Sequence, residues 1–134
     1  MRKAIFFFIV LIALLLFFVT MRGKISKSEW IDVELSMDEL KRTQCDVDNG
    51  HFPGHLDPKN VVYEFAYINH FIIKDKSKVH CKKISNNGEL FCSLFLVGGK
   101  ILKTILFKPV RQDSTGIWVV KSYKIKKELF KIPF

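Results

Sequence analysis

Cys45, Asp46, Asp48, His51, His55 and Asp57 fall within one short stretch of the chain and bring together the side-chain types that bind metals or exchange protons. Thiolate, imidazole and carboxylate are the donors a zinc site draws on. Their spacing argues against one. Pro53 keeps His51 and His55 from sharing a regular helical face, no C-x-x-C accompanies them, and Gly50 is misplaced for the calcium loop that Asp46-Val47-Asp48-Asn49 would begin. A site here would have to use Cys45, His51, His55 and Asp57. The expectation is instead polar loop chemistry, with no metal and no cofactor.

Acid–base chemistry has further candidates in His70 and His80, with Glu64 or Asp75 as partners. The chain contains no G-x-S-x-G, H-E-x-x-H, phosphate-cradling glycine loop or dinucleotide fingerprint. The sequence therefore reads as non-enzymatic. The alternative is a small hydrolase or isomerase using His51, His55 or His70 as the base.

Cys81 and Cys92 flank Asn86-Asn87-Gly88, a turn-forming triplet. A four-residue loop over 85–88 places the two cysteines directly opposite, and a two-residue Asn87-Gly88 turn makes them diagonal neighbours on one face. Either register brings the thiols close. Two outcomes follow: a disulfide, or two buried thiols acting as small apolar residues.

The formal charge is +9, from 22 Lys and Arg against 13 Asp and Glu. The acids concentrate between Glu29 and Asp57, while the last third carries Lys100, Lys103, Lys108, Arg111, Lys121, Lys124, Lys126, Lys127 and Lys131. Most of these are single lysines between apolar residues, as on the wet face of a sheet, and few arginines are present to grip phosphates bidentately. Nucleic acid is not the expected partner. Anionic lipid headgroups suit scattered lysines better, at about 1 kcal/mol for each near the surface. Tyr63, Tyr67 and Tyr123, with Lys121 and Lys124, are the candidates for contact with a protein partner. Phe91, Phe95, Phe107 and Trp118 are expected in the core. The apolar tail Leu129-Phe130-Lys131-Ile132-Pro133-Phe134 is expected to pack back on the sheet.

The elements that must position these residues begin with an anchor. No polar side chain interrupts Ala4 to Val19, and Arg22 closes the run. About 18 residues make roughly 27 Å of helix, near the thickness of a hydrocarbon core. Arg2 and Lys3 also fit a cleaved signal, but no paired small residues follow the apolar run as a cleavage site would require. A retained signal anchor is expected, with lipid contacted through residues 4–21. Charges flanking the run nearly balance, and the short leading flank favours an extracytoplasmic C-terminal domain. The division is a basic flank at 1–3, a transmembrane anchor at 4–21, a juxtamembrane linker at 22–28 and one α+β domain at 29–134.

Within that domain Ile31, Val33 and Leu35 alternate with Asp32 and Glu34, predicting a strand over Trp30 to Leu35. Ser36 and Glu39 form a capping box that predicts a short helix from Met37 to about Thr43. Residues 44–57 read as a loop. Asp57-Pro58 starts a second helix, whose stripe is Val61, Val62, Phe65, Ile68, Asn69 and Ile72. Four strands follow at about 78–84, 90–97, 101–110 and 117–126, joined by turns at Asn86-Asn87-Gly88, Gly98-Gly99 and Asp113-Ser114-Thr115-Gly116. Connections so short require antiparallel neighbours. The fold class is α+β, with one N-terminal transmembrane helix and a helix packed on a four- to five-stranded antiparallel sheet.

A strand, a helix and four antiparallel strands resemble the order of the cystatin-like folds and the sheet-on-helix packing of bacterial domains in the nuclear transport factor two-like superfamily. Gly116-Ile117-Trp118-Val119-Val120-Lys121 is similar to the G-x-W-x-V last strand of small exported members. The resemblance covers about Trp30 to Lys127 and implies a fold rather than an activity, because those folds include enzymes, inhibitors, secretion-machine parts and binding modules. The functional expectation is a single-pass cell-membrane protein whose domain binds a protein partner as an immunity protein, inhibitor or envelope-complex subunit. A basic domain bound to anionic lipid or nucleic acid is the remaining alternative.

Overall fold

The computed structural model describes residues 29–75, 78–84 and 87–127, together with Ile12. The elements are β1 (Ile31–Asp32), α1 (Met37–Asp48), a 3-10 turn (Pro53–Leu56), α2 (Pro58–Ile68), β2 (His80–Lys83), β3 (Leu90–Leu96), β4 (Lys100–Phe107) and β5 (Val119–Lys127). The strands form one antiparallel sheet in the order β1-β5-β4-β3-β2. The domain is therefore α+β, with two helices and five strands. Among the described residues no helix is long and apolar enough to cross a membrane. The expected anchor at 4–21 lies outside the described residues, Ile12 excepted, as does the tail from Leu129 to Phe134.

The sheet's inner face follows from period-two alternation. Cys92, Leu94 and Leu96 of β3 and Leu102 and Leu106 of β4 meet Val62 and Ala66 of α2 in the core. Thr104 is the polar member of this face, and its hydroxyl donates to the Cys92 carbonyl at 3.4 Å. Burying a hydroxyl without that partner would cost stability.

Both helices depart from their expected lengths, and local capping explains why. α1 runs to Asp48 rather than stopping near Thr43, consuming the first part of the expected loop. Asn49 caps it, and Gly50 follows with φ of 85°, its amide donating to the Val47 carbonyl and the His51 amide to the Asp46 carbonyl. This is a Schellman ending, and the left-handed backbone it needs suits glycine. The expected capping box does not form, since the Ser36 side chain makes no cap hydrogen bond. α2 does start at the Asp57 cap, whose carboxylate accepts the Lys59 amide at 2.9 Å. It ends at Ile68 instead of continuing to Ile72, because His70 takes a left-handed φ of 58° and Asn69 turns its side chain back to the Phe65 carbonyl.

Phe91, Phe95 and Phe107 correct a second expectation. They alternate with the buried leucines and occupy the sheet face away from the helices, half-buried rather than in the core. An apolar residue type could not reveal this, because strand alternation only separates two faces and does not say which one the helices cover.

Candidate functional site

α1 buries Gln44 and Val47, and Gln44 supplies a polar attachment to the domain. The Gln44 side chain, 2% exposed, donates to the Thr115 carbonyl at 2.9 Å and to Asp48 Oδ1 at 3.0 Å. Its own oxygen accepts the Ile117 amide at 3.0 Å. One turn further along α1, Asp48 receives both terminal nitrogens of Arg111, at 3.1 and 2.8 Å. The Arg111 hydrogen bonds, then that of Gln44, hold the Asp48 carboxyl below its ordinary range, and the same pairing raises Arg111. Asp113 is held low by hydrogen bonds from the Thr115 hydroxyl and amide, which tightens the loop between β4 and β5.

This latch keeps α1 apart from α2 and leaves an apolar cleft of about 220 Å³ between them. Leu40 and Thr43 of α1 line one wall, Val61, Phe65 and Ile68 of α2 the other, and Ile117 and Val120 the floor. Ile68 lines the cleft while remaining 64% exposed. Trp118 lines it as well, with the Lys108 ammonium 4.8 Å from its ring centroid. Among the described residues, the one acid–base pair on the cleft wall joins His55 Nε2 to Glu64 Oε2 at 3.7 Å. His55 is fixed by its backbone, since its carbonyl accepts the Trp118 amide at 2.9 Å.

The residues proposed from sequence are distributed rather than gathered. Cys45 is an exposed thiol on α1, Asp57 caps α2, His51 lies beside Phe52, and His55 faces Glu64. Among the described residues no three His, Cys, Asp or Glu side chains converge as a metal site would require. Cys81 and Cys92 are direct cross-strand partners joined by a disulfide, with sulfurs 2.04 Å apart.

Of the tyrosines expected to meet a partner, Tyr67 is 80% exposed. Tyr63 packs against the core, and burial, then Asp75 and Asp57, raises its phenol above the usual value. Tyr123 instead turns inward, its ring 5.1 Å from Phe65 and 6.3 Å from Phe71. Lys121 pairs with Glu89 at 2.7 Å, and Lys124 lies over Trp30 at 4.6 Å.

Gln44, Asp48 and Arg111 were not singled out by sequence reasoning as a unit. Gln44 and Asp48 do stand four apart, a spacing that places them on one helix face. Nothing local connects them to a loop more than sixty residues away. No family model, curated protein or solved structure matches this chain.

Proposed function

We propose that the chain is a membrane-tethered, non-enzymatic binding or accessory protein whose domain, at the outer face of the cytoplasmic membrane, receives an apolar segment of a protein partner in the cleft between α1 and α2. The observation that supports this reading most is the cleft itself: lined mostly by apolar side chains, with Thr43, His55 and Glu64 as its polar points, open to solvent, and bordered by a buried polar latch. Apolar surface left uncovered in this way favours association. The tether rests on the apolar run from Ala4 to Val19. The α+β arrangement of the domain is consistent with a cystatin-like fold, which by itself implies no activity.

The test uses the full chain in membranes as bait for crosslinking. A discrete partner should be captured by the parent chain and by Ile72→Glu, a control on an exposed residue outside the cleft, and lost with Ile68→Glu. Equal capture by both variants would remove the cleft from the reading. For the tether, an export-only reporter fused after Phe134 should be active, and activity of a cytoplasm-only reporter would overturn the orientation.

His55 beside Glu64 favours a second reading, a hydrolase or isomerase with His55 as base. A His55→Gln chain that retains full biological activity would eliminate it.

A further inference from the structure

The helix-free face of the sheet brings several cations and aromatic rings together, two of the cations in register. Lys103 of β4 stands directly opposite Lys124 of β5, and Lys126 lies opposite Ile101 one step along the same face. Like charges in register repel across a sheet. The Lys103 ammonium is held below its ordinary pKa, first by partial burial and then by Lys126, Lys124 and Lys82. Lys82 and Lys103 both approach the Phe91 ring, at 5.9 and 5.8 Å. Trp30 meets Phe91 edge-on at 6.3 Å and carries Lys124 over its own ring. Glu29 precedes Trp30 in the chain, Asp32 lies at the β1 edge opposite Ser122, and Glu89 is already paired with Lys121.

Chain connectivity adds a second observation. Trp30, the aromatic residue of this cluster closest to the N-terminus, follows residues 22–28, which could span about 25 Å at full extension. The apolar run lies immediately before that segment. A tether through it brings this face within reach of the headgroups; Val33 and Leu35 of the cleft follow Trp30 closely, so it is the cations and rings that select this face. Indole rings suit that depth, being apolar in body with one polar N–H.

We propose that the Trp30–Phe91 face, with Lys82, Lys103, Lys124 and Lys126, docks on the anionic phospholipid surface of the membrane in which the chain is anchored. The inference rests on the tethered reading for its geometry and is independent of the cleft. Phosphates placed among the four ammonium groups relieve their mutual repulsion, and the rings enter the interfacial layer. The domain then lies sheet-down, with α1, α2 and the cleft directed away from the lipid.

The experiment uses the full chain with vesicles of phosphatidylcholine alone, or of phosphatidylcholine and phosphatidylglycerol at roughly two to one. Brominated acyl chains serve as the fluorescence quencher. Trp118→Phe leaves Trp30 as the sole indole, and Trp30→Phe leaves Trp118 as the control on the opposite side of the sheet.

Docking predicts that Trp30 is quenched in the anionic vesicles, that Trp118 is not, and that the Trp30 signal recovers in about 1 M salt, where the screening length falls to about 3 Å. Lys103→Gln, Lys124→Gln and Lys126→Gln together should reduce quenching to the level of neutral vesicles. The salt arm needs no variant at the lysines and so does not depend on how those substitutions fold.

Flotation with both vesicle types but equal, salt-insensitive Trp30 fluorescence would overturn docking while leaving the tether intact, as expected if the face serves an acidic protein. Flotation only with anionic vesicles, with Trp30 quenched, would support docking and overturn the tether. Flotation with neither would overturn both.

Discussion

Gln44 and Ile117 lie 73 residues apart, yet the Gln44 side-chain oxygen accepts the Ile117 amide proton at 3.0 Å in a buried site. This bond, with the Gln44 amide on the Thr115 carbonyl, fixes where α1 stands relative to the start of β5 and so fixes the width of the cleft. Replacing Gln44 by Ala leaves the Ile117 amide and one carbonyl without these partners. Gln44→Ala should lower unfolding free energy by about 1–3 kcal/mol. Urea denaturation of the parent and variant chains is the appropriate measurement, and an unchanged midpoint would mean that the latch holds nothing.

The Asp48–Arg111 pair gives the same latch a pH dependence. The folded carboxyl lies below its ordinary value of 3.8, so Asp48's contribution is fully present above that value and disappears as pH falls through the lowered one. The Gln44 side-chain amide, hydrogen-bonded to Asp48, reports this titration by NMR. Its shift should move with a midpoint below that of a free aspartate, and Asp48→Asn should abolish the movement. A midpoint at the ordinary value would contradict the pairing.

Gly116 tests the loop sterically. A Cβ at this position would lie 1.8 Å from the Arg111 carbonyl oxygen and 2.8 Å from its carbon, both backbone atoms. Gly116→Ala must therefore displace the segment that carries Arg111. We expect a loss of about 2 kcal/mol or more. The Arg111 side-chain NMR signals should also lose their Asp48-dependent shift.

The disulfide between Cys81 and Cys92 closes a short hairpin loop, with a sequence separation of 11. Non-reducing mass spectrometry should find the chain lighter by the two hydrogens that the bond removes, with Cys45 alone alkylated. Cys81→Ala with Cys92→Ala should cost about 3 kcal/mol in the chain-entropy account. Two reactive thiols at these positions in the native chain would refute the bridge.

The assignment of the sheet's two faces is checked by neighbouring residues. Leu94 is fully buried under α2, whereas Phe95 is half-buried on the helix-free side. Leu94→Ala should cost about 2–5 kcal/mol, and Phe95→Ala should cost less despite removing the larger side chain. The reverse order in thermal or urea unfolding would exchange the faces.

Sequence alone determined the succession of elements, because each signal acts over only a few residues. Asp57-Pro58 starts α2, alternation marks β3 to β5, and the short Gly98-Gly99 turn requires the antiparallel pairing seen between β3 and β4. The pairing of Cys81 with Cys92 was likewise one of the registers that the intervening turn allowed. The length of α1 was misread because Asp46, Asp48, Asn49 and Gly50 have loop composition, whereas the helix runs to Asp48 and its Asn49 cap, just before the left-handed Gly50.

Tertiary structure decided everything that joins distant segments. Only the packed chain brings Gln44 to Ile117, Asp48 to Arg111 and His55 to Glu64, and only the placement of α2 decides that the leucines face the core and the phenylalanines do not. The physical reason is that period and capping are properties of neighbouring residues, while the face a strand buries and the width of a cleft depend on where another element comes to rest against it.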